Sequence, residues 1–241
     1  MTHALEYFEQ IYVINLPHRH DRRREIAEQL SEIGLGFDSP GIKLFEAVRP
    51  ETADGFPSVG ARGCFLSHLG VLRDACSRGL ERILIIEDDL NFVPDFNARM
   101  DKVRLALEGI DWSVFYGGYA LKSFLQMDDP EIVVKVKSSE LIGNTHFVAF
   151  RGGAICEAVT FLEALLSRPA GDPRGGPMHV DGAYNWFRNE FPSRITLLAV
   201  SQLGYQRSSR TDIHALRWFD RVPVVRSAVG TLRRMRSKPQ V

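Results

Sequence analysis

Four consecutive large aliphatic residues, Ile83-Leu84-Ile85-Ile86, run directly into three acids, Glu87-Asp88-Asp89. A segment that is apolar at every position has no face to offer water. It needs cover on both sides, as a largely parallel sheet between helical layers provides. A second run, Ile11 to Leu16, has the same character and is broken by Asn15 alone. A basic stretch follows from Pro17 to Arg24, and then an amphipathic pattern with Ile26, Leu30 and Ile33 on one face and Gly34 as its stop. Strand, basic loop and helix together open a βα unit.

The grammar repeats. Leu66, Leu69, Leu72, Ala75 and Cys76 recur at helical spacing over residues 64–77, with Gly79 as terminator, and a further helix is expected up to about Leu107. Trp112 to Tyr116 reads as a buried strand ended by Gly117-Gly118, and Ile132–Val136, Phe147–Phe150 and Ile195–Val200 read as strands. Ala154–Leu166 and Asp181–Phe191 read as helices, with a Pro/Gly-rich loop over residues 169–178 that serves either as a lid or as a plain connector. Alternating strands and helices predict an α/β fold: one domain over residues 8–216, built on a mostly parallel nucleotide-binding sheet flanked by helices. Residues 217–241 form a separate tail.

Composition narrows the function classes. A chain of 241 residues suits one domain, and 44% apolar with 25% charged residues is ordinary for a globular protein. The 30 basic and 30 acidic side chains cancel, which argues against a nucleic-acid partner. No apolar run approaches the roughly 18 residues of a membrane span. The start, MTHALEYFEQ, lacks the basic and apolar regions of a secretory signal, so a cytoplasmic protein is expected. Cys64, Cys76 and Cys156 are odd in number and without C-x-x-C spacing, which points to reduced, buried thiols rather than a disulfide framework or a structural zinc site.

Open α/β sheets bind ligands beyond the carboxyl ends of their strands, and the acid triplet stands at such an end. In an extended chain Glu87 and Asp89 share a face while Asp88 points away. Several anions buried together call for a divalent cation, and hard ions such as magnesium or manganese prefer oxygen ligands. The same triplet also begins many solvated turns. Arg19, Arg22 and Arg23 follow the first strand, and in a parallel sheet they open on the same side as the acids. Arginines at a helix start oppose its dipole unless an anion is bound, so a diphosphate between the two groups satisfies both.

These residues carry a resemblance. The run Val13-Ile14-Asn15-Leu16-x-x-Arg19-x-x-Arg22-Arg23, then Gly63-Cys64-x-Leu66-Ser67-His68-Leu69, then Ile85-Ile86-Glu87-Asp88-Asp89 resembles the family 25 glycosyltransferases. That family includes bacterial lipopolysaccharide sugar transferases and collagen galactosyltransferase domains. The likeness is clear over about residues 10–100 and fainter through Trp112–Gly117 and Thr211-Asp212-Ile213. It implies a GT-A-like fold, a UDP-sugar donor (often UDP-galactose), inversion at the anomeric carbon, and a manganese or magnesium ion. By the same resemblance Glu87 and Asp89 match the metal motif, Asn15, Leu16, Arg19, Arg23 and Asp88 lie against the donor, and Ser67 and His68 line the cleft. The sequence departs from the family pattern where Ala47-Val48 continues into Arg49 and where threonine precedes Asp212.

An inverting displacement also needs a general base. Asp181, in His179-Val180-Asp181-Gly182, is the candidate, although aspartate at a helix start is also a common N-cap. Asp212 and His214 are candidates to close the metal or diphosphate site, with a surface histidine the plainer reading of His214. His68, between core-like leucines, also suits a structural histidine.

The tail holds seven basic residues and one acid over residues 217–241, leaving the rest of the chain at −6. Val225, Ala228, Val229, Leu232 and Met235 recur at helical spacing between arginines, the pattern of a basic amphipathic helix lying on an anionic membrane surface or packed on the body. A lipid-linked glycan acceptor suits such an anchor, on the inner face of the cytoplasmic membrane. Two other readings compete with an active transferase: a non-catalytic sugar-nucleotide or glycan-binding relative, and a glycoside hydrolase pair. The last ranks lowest, because neighbouring carboxylates on one strand share one wall of a cleft.

Overall fold

We describe residues 3–121 and 131–207 from a computed structural model of the chain. Strands β1 (Gln10–Asn15), β2 (Ile42–Glu46), β3 (Arg82–Glu87), β5 (Val114–Leu121), β6 (Val133–Val136), β7 (Ile142–Arg151) and β8 (Thr196–Ala199) form one sheet in the order β2-β1-β3-β7-β5-β8-β6. Two short strands, β4 (Leu90–Phe92) and β9 (Gly204–Gln206), pair antiparallel beside it. Five of the seven main strands run one way; β6 and β7 are reversed. The α/β class and the mostly parallel sheet are as expected. The two reversals are not legible in sequence, because an antiparallel strand covered on both faces is as uniformly apolar as a parallel one.

Strand alternation divides the core. Tyr12, Ile83, Ile85, Val148 and Phe150 face one side, where helices α2 (Val59–Ser77), α4 (Ala154–Leu166) and α5 (Val180–Glu190) lie. Ile11, Val13, Leu84, Ile86, Phe147 and Ala149 face the other, under α1 (His20–Glu32) and α3 (Phe96–Glu108). Ile83–Ile86 is fully buried, as its composition demands. Gly34 and Gly79 end α1 and α2 at φ +85° and +64°, a left-handed conformation that glycine adopts without strain. Among the described residues no helix is long and apolar enough to cross a membrane.

Three expectations need correction or qualification. Gly117-Gly118 does not end β5, which continues to Leu121. A Cβ on Gly117 would lie 2.4 Å from Phe147 and one on Gly118 2.3 Å from the His146 ring, so these glycines admit close neighbours rather than stop a strand. Cys76 and Cys156 are not reduced thiols but a disulfide between α2 and α4; the packing of these helices brings together residues 80 apart in sequence, which spacing alone cannot reveal. The loop over residues 169–178 is held locally, by Asp172 accepting from Arg174 and by Arg168 donating to the Gly175 carbonyl. The amphipathic tail, residues 217–241, lies outside the described residues, as do Asp212 and His214.

Candidate functional site

β1 and β3 are parallel neighbours with Ile14 opposite Glu87, so the segment after Asn15 and the acid triplet emerge on the same edge. Between them opens a cleft of about 290 Å³, walled by Leu16 and Arg22 on one side, Ser67 and His68 of α2 on another, and Glu87 and Asp88 at the strand end. Of the arginines and acids expected to face one another, Arg22, Glu87 and Asp88 line this cavity, whereas Arg19, Arg23 and Asp89 do not.

The triplet is arranged differently from a strand. β3 ends at Glu87, and Asp88 and Asp89 occupy a turn, so the two-residue alternation does not extend past Glu87. Asp88, rather than Asp89, lines the cleft with Glu87. Its carboxylate accepts from Asn15 Nδ2 at 2.7 Å and from Arg22 Nη1 at 2.8 Å. Asp89 is 4% exposed; its Oδ2 lies 3.1 Å from Gln206 Nε2 and 3.5 Å from Arg22, while its Oδ1 has no hydrogen-bond partner. Burial pushes both aspartic acids above their ordinary pKa, more than Arg22 offsets, and the neighbouring Glu87 charge pushes Asp89 further. Just after β9, Arg207 donates its backbone N–H to the Asp89 carbonyl and its guanidinium to the Asp88 carbonyl.

Glu87 has another environment. Thr145 Oγ1 of β7 donates to its Oε1 at 2.6 Å, and His68 Nε2 stands 3.4 Å from the same oxygen. Burial raises the Glu87 pKa, but His68, Thr145 and His146 together bring it below the usual carboxylate range. His68 is completely buried, and its Nδ1 is 3.0 Å from the Tyr184 hydroxyl of α5. One turn before His68 on α2, Cys64 also faces the cleft.

The predicted residues distribute unevenly around this cleft. Asn15 is buried and holds Asp88, and Leu16 forms the wall. Arg19 forks onto Asp21, and Arg23 lies over the Phe37 ring; Arg22 is the arginine of this run that enters the acid cluster. Ser67 pins the backbone, donating to the Gly63 carbonyl and accepting from Val48 N–H. Asp181 is half-buried in the first turn of α5, with His179 rather than Asp181 at the N-cap position. Tyr184, the partner of His68, follows Asp181 by three residues on the same helix. Sequence reasoning missed Cys64, Thr145, Tyr184 and Arg207 as parts of the site. The spacing of Cys64 and His68 on one helical face was a signal within reach; the contributions of Thr145, Tyr184 and Arg207 are tertiary.

Comparison with known proteins adds a family. The model described as "Glycosyltransferase family 25 (LPS biosynthesis protein)" matches residues 8–138. Procollagen galactosyltransferase 1-B of Xenopus laevis is 31% identical over 143 residues, covering 52% of this chain and 23% of that protein. Procollagen galactosyltransferase 2 of Mus musculus is 31% identical over 145 residues, covering 53% and 23%. The human protein named "Inactive glycosyltransferase 25 family member 3" is 26% identical over 129 residues, covering 46% and 22%. The chain therefore aligns with under a quarter of the length of these relatives. Among solved structures, a glycosyltransferase involved in glycosylation of the major capsid of PBCV-1 aligns over 84% of this chain and 93% of its own at TM-score 0.47 and 14% identity.

Proposed function

Because the chain belongs to glycosyltransferase family 25, we propose that it transfers a sugar, galactose in our reading, from a UDP-sugar to a glycan hydroxyl with inversion. The acceptor we favour is a lipopolysaccharide or lipooligosaccharide precursor. One observation carries the reading: a cleft at the carboxyl ends of parallel β1 and β3 is lined by Glu87 and by the paired Arg22 and Asp88. That is the complement of a nucleotide diphosphate accompanied by a cation. The names of the relatives support galactose as the sugar.

The acids suit a manganese or magnesium ion. Asp89 Oδ1 is a buried carboxylate oxygen with no hydrogen-bond partner, close enough to Glu87 for that charge to disturb it. Hard oxygen donors in this state match the preference of such ions. Glu87 and Asp89 would hold it, with Asp212 and His214 as further candidates, and once bound it would neutralise charge on the departing diphosphate. Arg22 would add a fixed positive charge beside the same oxygens, and Asn15 keeps Asp88 oriented. Asp181 would accept the proton of the acceptor hydroxyl from the half-buried start of α5.

Thermal melting of the purified chain with UDP and UDP-galactose, with and without manganese, tests donor binding. A ligand at 100 times its Kd stabilises the native state by about 2.7 kcal/mol. A manganese-dependent rise that Asp89→Ala abolishes is expected, together with UDP release on adding acceptor. No nucleotide-dependent rise under any of these conditions overturns the reading. Binding without UDP release would favour a non-catalytic relative, a reading supported by the inactive member among the relatives. For the tail we propose contact with an anionic membrane surface on the cytoplasmic side. Removing residues 221–241 should abolish sedimentation with anionic liposomes, and unchanged sedimentation would dismiss the anchor.

A further inference from the structure

One group in the cleft is built from softer donors than the acid triplet. The ligand atoms of Cys64, His68 and Glu87 all lie within 4.8 Å of one another. Cys64 and His68 are one helical turn apart on the inner face of α2, and Glu87 ends the adjacent β3. The His68 ring is completely buried, yet its Nε2 makes no hydrogen bond of acceptable geometry, with Glu87 Oε1 3.4 Å away. Two ligands on a tetrahedral zinc, each about 2.0–2.1 Å from the ion, stand about 3.4 Å apart. The other ring nitrogen meets the Tyr184 hydroxyl, and Glu87 takes the Thr145 hydroxyl. Metal-ligating histidines and carboxylates are oriented by outer partners of this kind.

We infer that Cys64 Sγ, His68 Nε2 and Glu87 form a binding site for a zinc-type divalent ion, with its fourth position open to the cleft. As the metal–sulfur bond forms, the Cys64 proton leaves to solvent and the ion carries the thiolate charge. Cysteine spacing argues against a structural zinc site; the ligands proposed here come from one helix face and a strand end rather than from a C-x-x-C motif. The site shares Glu87 with the ion proposed for the sugar donor. Competition between the two ions rests on that earlier reading; zinc binding itself does not.

Cobalt titration of the purified full chain, followed by zinc displacement, tests the site without any sugar nucleotide. One equivalent of cobalt should produce an intense ultraviolet thiolate-to-metal band that zinc abolishes. The band should vanish in Cys64→Ser, and zinc affinity should fall about 10- to 100-fold in Tyr184→Phe through loss of the outer partner. A second readout needs no variant. Cys76 and Cys156 are bonded to each other, so Cys64 is the one thiol of the three cysteines, and equimolar zinc should slow its alkylation at least about tenfold. A cobalt spectrum without the sulfur band, or alkylation indifferent to zinc, overturns the inference. Both measurements keep their meaning if the chain proves unable to bind UDP.

Discussion

Arg22, in the first turn of α1, places Nη1 2.8 Å from Oδ1 of Asp88, 66 residues further along the chain. Both side chains are about nine-tenths buried, and Asn15 completes the carboxylate's hydrogen bonding. The pair fastens the loop after β1 to the turn after β3, and so fixes one wall of the cleft relative to its acidic end.

Removing one partner leaves the other charge stranded. Arg22→Ala should destabilise the fold by about 3 kcal/mol, because an unpaired buried carboxylate is costly. Asp88→Asn, which keeps the shape and can still accept from Asn15, should cost less. Urea denaturation of both variants measures the difference, and a stability ranking in the opposite order would refute the pairing as described.

At Gly118 the space is already taken, by the His146 ring and by the Gly204 carbonyl 2.7 Å from where a Cβ would be. Gly118→Ala should therefore destabilise by about 1–3 kcal/mol, as overpacking does in well-filled interiors. Amide exchange should report the damage first in β9, which begins at Gly204. A substitution without measurable effect would mean that the β5–β9 approach is looser than described.

The Cys76–Cys156 bond closes a segment of 80 residues. In the chain-entropy account such a loop contributes about 4 kcal/mol to stability. Reduction should lower the urea midpoint correspondingly, and non-reducing peptide mapping should recover the linked pair. This contribution is present only where the surroundings permit oxidation, so cells with a reducing cytoplasm would hold a less stable form. Mapping that finds both thiols free after aerobic purification would remove the bond from the account.

Away from the cleft, Asp74 accepts from the Tyr12 hydroxyl, from Lys43 and from Arg78. Burial raises its pKa, but these three donors together hold it below the ordinary aspartate value. A depressed folded-state pKa stabilises above the unfolded value, about 3.9, and that stabilisation is lost as pH falls through the folded value. Asp74→Asn should therefore flatten the acid side of the stability–pH curve while leaving the slope near neutral pH unchanged. Identical acid limbs for the two proteins would show that Asp74 does not contribute.

The layers of the fold were legible because burial leaves a plain mark on sequence. Ile83–Ile86 and Ile11–Ile14 read as doubly covered strands and lie in β3 and β1, and Gly34 and Gly79 mark the helix ends where they fall. The reversed direction of β7 left no mark, since residues such as Phe147 and Phe150 are apolar on both faces whichever way the strand runs. Within the site, the sequence sets Arg19, Arg22 and Arg23 together against the acids and the resemblance puts Arg19 and Arg23 on the donor, whereas the helix phase favours Arg22. Arg22, Ile26 and Leu30 follow one another at intervals of four and are the buried residues of α1. The partners Thr145, Tyr184 and Arg207 come from β7, α5 and the segment after β9, and only the folded chain brings them to one place.

The pairing of β4 with β9 delivers Arg207 onto the backbone of Asp88 and Asp89. The turn that carries both aspartates is thus braced from outside the main sheet, by a two-stranded pair that shares none of its strands. Any change that loosens β4 or β9 should therefore be felt first at Asp88 and Asp89, although neither short strand carries a residue that lines the cleft.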